Sequence, residues 1–155
     1  MKTVQEAITG NEFFGNRALP YEALVHFYYA FNQKNFSEME KNWANTDTIA
    51  MDNPLGGIKR GWVEIGQVYE RIFSGPAEIY VEFYDYTIQE NSDIFYAVGR
   101  ERGRFQSKKE SFALAVRTSR IFQKIAGQWR QVHHHGSIED PQLLERYQKA
   151  VLGVR

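Results

Sequence analysis

Four β-rich runs follow one another through the second half of the chain with only short gaps between them, and that succession constrains the fold more than any other feature. Glu78 to Gln89, Ile94 to Phe105, Ser111 to Ile125 and Gln128 to Ile138 are dense in β-branched and aromatic residues. They are separated by Asn91-Ser92-Asp93, Gln106-Ser107-Lys108-Lys109 and Ala126-Gly127, which are hairpin-length connections. Strands joined this way form an antiparallel meander. In the third run Phe112, Leu114, Val116, Thr118, Arg120 and Phe122 fall on one face, and Ala113, Ala115, Arg117, Ser119 and Ile121 on the other. The small residues of the second face suit close approach by a helix or partner sheet.

Helical periods come before the meander. Leu19-Pro20 leads into Tyr21, Leu24, Phe27, Tyr28 and Phe31, an apolar stripe whose first turn tolerates proline and which should end near Asn32 to Asn35. Ser37, with Glu40 three residues on, reads as the cap of a short second helix reaching Trp43. Thr48 to Met51 reads as a brief strand stopped by the turn formers Asp52-Asn53-Pro54-Leu55-Gly56-Gly57. Gly61-Trp62 opens a third helix through Ile65, Val68, Tyr69 and Ile72-Phe73, closed by Ser74-Gly75-Pro76. Asp140-Pro141 starts a C-terminal helix over about 140–152, and Val4 to Ile8 is read as a further short helix. The expected architecture is α+β: a curved, mainly antiparallel sheet with N-terminal helices packed in its concave face, a cone-shaped α+β barrel. A single domain over 1–155, with its core about 19–138, accommodates all of this.

The composition narrows the function classes. Nineteen basic and nineteen acidic residues cancel, without the basic stripe of a nucleic-acid binder. No cysteine is present, so thiol catalysis and cysteine–zinc sites are excluded. Neither a signal-peptide pattern nor an apolar run of membrane-spanning length occurs, which predicts a cytoplasmic protein with no membrane partner. Aromatics make up 15%, which favours an aromatic-lined core or pocket.

Chemistry-bearing residues concentrate in Trp129 to Ser137, where His133, His134 and His135 follow one another. Strict alternation puts Trp129, His133, His135 and Ser137 on one face and Val132, His134 and Ile138 on the other. His133 and His135 can serve as acid and base, as two metal ligands with His26 or Asp52 as a third, or as hydrogen-bonded structural residues. No closed metal motif accompanies them, so neither a metal nor a cofactor is expected. Arg120, on the apolar face of its strand, reads as a buried cation that needs a carboxylate, from Asp52 or from an acidic ligand. Arg100, Arg102 and Arg104 alternate with Gly99, Glu101 and Gly103, and either meet a carboxylate ligand or form a solvated face with Glu82. Tyr28, Trp43, Trp62 and Tyr69 are core or pocket-wall residues.

The helix order, the Asn53-Pro54-Leu55-Gly56-Gly57 turn with Gly61-Trp62 after it, and Arg117-Thr118-Ser119 leading into G-x-W-x-x-x-H-x-H-x-S resemble the nuclear transport factor 2-like, or SnoaL-like, superfamily. The resemblance covers roughly residues 19 to 138 and implies the cone fold with a cavity inside it. The superfamily includes ketosteroid isomerases and the association domain of calmodulin-dependent kinase. In the isomerase branch the general base is an aspartate before the proline; that position is Asn53 here, with the neighbouring Asp52 as a substitute base. The oxyanion tyrosine of that branch falls on Phe27, or on Tyr28 one residue on, and its neutral aspartic acid falls near Ser119. These departures argue against ketosteroid-type isomerisation, which needs a proton acceptor and two donors aimed at one oxygen. In the association domain a matching arginine lines the cavity, as the resemblance implies for Arg120, while a second arginine there is Gly136 here.

These readings converge on a small-molecule-binding cavity protein whose ligand is apolar or carboxylate-bearing. Asp52, His133 and His135 are the candidate catalytic groups, and Tyr28, Asn53, Trp62, Tyr69, Arg120 and His134 the candidate ligand-binding groups. The alternatives are an isomerase, dehydratase, cyclase or hydrolase working by proton transfer, and a self-association module. A homodimer through the face carrying Ala113 and Ala115 is expected.

Overall fold

A computed structural model describes residues 1 to 153. Helix α1 (Pro20–Asn32) has proline in its first turn, where the missing N–H costs nothing, and the Glu22 carboxylate accepts from the Ala18 and Leu19 amides. Helix α2 (Phe36–Asn42) is capped by the Asn35 side chain, which accepts from the Glu38 amide at 3.1 Å. Asn35 therefore replaces Ser37 as the cap, since Lys34 at φ 52° ends the preceding turn and delivers Asn35 in extended geometry. Strand β1 (Ala50–Asp52) and the short β2 (Lys59–Arg60) flank the Asn53 to Gly57 turn, and α3 (Gly61–Ser74) follows. Then come β3 (Glu78–Glu90), β4 (Ile94–Gln106), β5 (Ser111–Ile125), β6 (Gln128–Ser137) and α4 (Pro141–Leu152), the last capped by Asp140.

The six strands form one sheet in the order β2-β1-β6-β5-β4-β3. The meander is antiparallel as expected, whereas β1 joins the far edge parallel to β6, with Ala50, Met51 and Asp52 opposite His133, His134 and His135. Residues Val4 to Ile8 are not helical: Val4 and Ile8 make backbone bridges to Tyr86 and Phe83 of β3. These bridges flank an irregularity between Tyr84 and Thr87, where Asp85 has φ 49°. An extra residue of this kind bends a strand. β4 sharpens the bend at Gly103, where a Cβ would sit 1.8 Å from the Tyr80 carbonyl oxygen.

Helices α1, α2 and α3 fill the concave side. Cross-strand partners Phe95 and Phe122 stack at 4.6 Å, and Phe105 and Phe112 at 4.8 Å. Trp129 meets Phe95 edge-on at 5.0 Å, and Tyr28 of α1 stacks on Phe83 at 5.7 Å. Each fully buried large side chain contributes about 1.5–3 kcal/mol of transfer free energy. That stabilisation is what tolerates a polar centre in the same interior.

Candidate functional site

Arg120 extends from the inner face of β5 and is 2% exposed. Its Nη2 donates to Glu101 Oε1 at 2.8 Å and its Nη1 to Gln131 Oε1 at 2.8 Å. Nε points at the Tyr28 hydroxyl oxygen at 3.4 Å, and that hydroxyl donates to Glu101 Oε1 at 2.6 Å. The guanidinium carbon lies 3.6 Å from the centre of the Phe27 ring. Arg120 is thus held by a carboxylate, an amide and an aromatic face, the conditions under which a buried charge is tolerated. The predicted carboxylate is present, and it is Glu101 rather than Asp52. Burial holds the Tyr28 hydroxyl well above its usual value, so it stays a donor.

Behind Arg120 the hydrogen bonds continue to the surface. Gln131 Nε2 donates to Asn42 Oδ1 at 3.1 Å, and Asn42 Nδ2 donates to the Ala23 carbonyl at 3.0 Å and toward His26 Nδ1 at 3.1 Å. His26 Nε2 meets Glu38 Oε2 at 2.8 Å, and Lys41 holds the other oxygen of Glu38. Arg120 can only donate, and the Ala23 carbonyl can only accept. Both ends fix the same amide orientations, so His26 Nδ1 accepts and Nε2–H donates: a neutral imidazole. Burial pulls the His26 pKa below its ordinary 6.5 against the upward pull of Glu38.

In front of Arg120 lies a cavity of about 60 Å³. Its apolar wall includes Phe27, Phe31, Met51, Ile72, Ile79 and Leu114, and its polar groups are Asn53, Tyr69, Glu101, Arg120 and His134. Burial pushes the Tyr69 hydroxyl up to about 12. Tyr147 of α4 closes one side, and Gln148 Nε2 ties that helix to the Pro54 carbonyl at 2.9 Å.

His134 reaches this cavity through a break in β6. The register with β5 shifts between Ile121 and Phe122, leaving Val132 unpaired between Gln131 and His133. Trp129, Gln131 and His134 are consequently the buried side chains of β6, whereas strict alternation puts Trp129 and His134 on opposite faces. His134 Nδ1 lies 3.3 Å from the Ser119 carbonyl, which can only accept, so the proton sits on Nδ1. Burial first, and then the positive Arg120, hold the imidazole well below 6.5. A neutral ring with its Nε2 lone pair unused by any described residue therefore faces the same volume as Arg120.

The three predicted catalytic groups lie on the opposite face. Met51 takes the inward position of β1, so Asp52 points outward, beside the outward His133 and His135 of β6. Asp52 Oδ2 is 2.5 Å from His135 Nδ1, and Oδ1 is 3.6 Å from His133 Nε2. His133 Nδ1 meets the Ala50 carbonyl. Asp52, His133 and His135 therefore do not line the cavity expected to hold them, which follows from the period of β1 and the irregularity in β6. Among the described residues no group of three or more His, Asp or Glu side chains has the geometry of a metal site. On the same face Arg102 pairs with Glu82 at 2.6 Å and Arg100 with Glu139 at 2.9 Å, the solvated arrangement weighed for that arginine row. Trp62 is also displaced from the pocket: it packs on Phe36 at 5.7 Å and does not line the cavity. Tyr28 acts behind the wall, through Glu101.

Glu101 is the cavity-lining residue that sequence reasoning missed. It shares the inward phase of β4 with Phe95, Ala97 and Phe105, and that phase was the available signal.

A bent six-stranded sheet with helices in its concavity and an arginine-centred interior cavity is the α+β cone of nuclear transport factor 2-like proteins. The SnoaL-like domain model matches residues 21–141, and the chain belongs to that family. A nuclear transport factor 2-like superfamily protein from Salmonella enterica serovar Typhimurium superimposes with a TM-score of 0.68 at 17% identity, covering 75% of this chain and 85% of that one. A ketosteroid isomerase-like protein from Erwinia carotovora atroseptica gives 0.65 at 20%, covering 83% and 100%. A Thiobacillus denitrificans protein named for the calcium/calmodulin-dependent protein kinase type II association domain gives 0.63 at 22%, covering 78% and 95%. At these identities the likeness is one of fold. No curated protein matches the sequence. No helix of the described residues is long and apolar enough to cross a membrane.

Proposed function

We propose that the chain binds a small, partly apolar molecule bearing a carbonyl or carboxylate oxygen in the cavity between Arg120 and His134. The observation that carries this reading is a fixed cation and a neutral histidine on one partly open volume, which the cation's partner Glu101 also lines. Three of the five guanidinium N–H groups are directed at Tyr28, Gln131 and Glu101, and the remaining two lie beside the Tyr69 hydroxyl, which a ligand oxygen would share. His134 Nε2 accepts from a ligand donor, while Asn53 and Tyr69 supply further polar wall. The cavity's 60 Å³ is well below the roughly 300–1,000 Å³ of pockets for larger organic ligands, so the ligand is a few heavy atoms or enters by displacing Tyr147. Native mass spectrometry of protein purified from cells, followed by titration of short branched carboxylates, tests this. A stoichiometric adduct lost in Arg120→Gln supports it; an adduct unaffected by that change and by His134→Phe contradicts it.

Proton transfer is the second reading, favoured by the same unprotonated Nε2. In it His134 is the base, and Arg120 stabilises the anion that forms. Self-association accompanies either reading. The outer sheet face exposes Ile94, Tyr96 and Val98 at 45%, 46% and 45%, with Ala113 and Ala115 further along the same face opposite Arg104 and Arg102, and a homodimer through this face would cover them.

A further inference from the structure

We infer that a second site, a groove bounded by the end of α3, the β4–β5 hairpin and the last turns of α4, binds a soluble single-chain amphiphile through its carboxylate head and acyl tail. The groove measures about 490 Å³, far larger than the central cavity. Ile72, Ile79, Phe105, Ala150 and Val151 give it an apolar floor. Arg71, Lys108, Lys109 and Lys149 stand at its rim with one carboxylate, Glu110. Glu110 is engaged by Arg146 at 2.9 Å, and Lys149 by Glu145 at 2.8 Å. Among the described residues Arg71, Lys108 and Lys109 have no carboxylate within ion-pair distance. The chain as a whole has no net charge, so three cations without an ion-pair partner among the described residues, gathered around one apolar trough, are a local asymmetry rather than a general basicity. An apolar floor under a cationic rim matches an anionic head on an alkyl tail.

The inference stands apart from the cavity reading. Ile72 and Ile79 partition the two volumes, and neither Arg120 nor His134 lines the groove. A membrane would need a protruding apolar surface, and this trough is recessed, so the occupant is the free amphiphile.

The test is isothermal titration of the full chain with decanoate below its micellar range, against decyltrimethylammonium, octanoate and anionic vesicles. Saturable one-to-one decanoate binding is expected, weakened at least tenfold in the double variant Lys108→Glu/Lys109→Glu and in Ala150→Trp, and unchanged by an excess of the short branched carboxylate offered to the central cavity. Two fewer methylenes weaken it by about tenfold. Equal binding of the cationic amphiphile, binding to vesicles alone, or displacement of decanoate by the short branched carboxylate overturns the inference.

Discussion

Arg120 and Glu101 form a 2.8 Å ion pair although they sit four residues out of register on neighbouring strands: Arg120 is opposite Ala97, and Glu101 is opposite Val116. The long guanidinium side chain spans the register of the intervening Gly99–Thr118 pair to reach the carboxylate. The two residues are 2% and 8% exposed, so neither charge has solvent to fall back on.

Removing one partner should therefore cost far more than removing both. Glu101→Leu is expected to lose about 3–5 kcal/mol of unfolding free energy by stranding the guanidinium, while the double change Glu101→Leu/Arg120→Met recovers most of that loss. Urea denaturation of the two variants and the parent measures it. A double variant less stable than Glu101→Leu alone would refute the pairing argument.

The two buried histidines set the acid limit. His26 and His134 both have folded pKa values below the ordinary 6.5, so above pH 6.5 neither state takes up a proton and the groups contribute nothing to pH dependence. Below 6.5 the unfolded chain binds protons that the folded chain refuses, and stability falls with pH until the folded pKa values are reached. Protonated His26 would also present Nδ1–H to the Asn42 amide, placing two donors face to face. Denaturant midpoints measured from pH 8 to pH 5 should drop below 6.5, and His134→Gln should reduce the slope. A midpoint that stays level would contradict the burial of both rings.

Gln131 and Asn42 hold Arg120 from behind. Gln131→Leu leaves Arg120 Nη1 and Asn42 Oδ1 unpaired in the interior, and is expected to cost about 1–3 kcal/mol for each stranded group. Gln131→Glu keeps the acceptor for Arg120 but loses the bond to Asn42, since both its oxygens accept and one faces Asn42 Oδ1; it should be milder than Gln131→Leu only if acceptance from Arg120 dominates. Comparison of the two melting curves tests whether acceptance at this position is what matters.

The outer face should govern assembly. Tyr96→Glu together with Val98→Arg is expected to convert a dimer into a folded monomer in light scattering at micromolar concentration. A parent chain that is already monomeric would refute the dimer. Asp52→Asn, on this same face, should leave cavity binding unchanged, since Met51 and not Asp52 faces inward.

The meander, the three long helices and the inward phase of β5 were legible because each rests on a local period, as in Phe112 to Phe122, or on adjacent turn formers such as Asn91-Ser92-Asp93. What the sequence concealed depends on pairing between distant segments. The parallel docking of β1 on β6 brings Asp52 beside His135, and no local pattern announces it. The break at Val132 reverses which histidine faces inward, because one unpaired residue shifts the period of everything after it. Glu101 was hidden among alternating arginines, where a charge in the inward phase reads as surface until its cross-strand partner is known. Val4 to Ile8 adopts strand geometry because β3 offers it backbone partners at Phe83 and Tyr86.

The most direct test of the cavity account is nitrogen NMR of the histidine side chains in the folded protein at pH 7, before and after addition of a short branched carboxylic acid that binds. The account predicts His134 as a neutral ring protonated on Nδ1, with the Nε2 resonance moving on ligand addition and failing to move in Arg120→Gln. A protonated His134, or an Nε2 resonance indifferent to a ligand that binds, would contradict it.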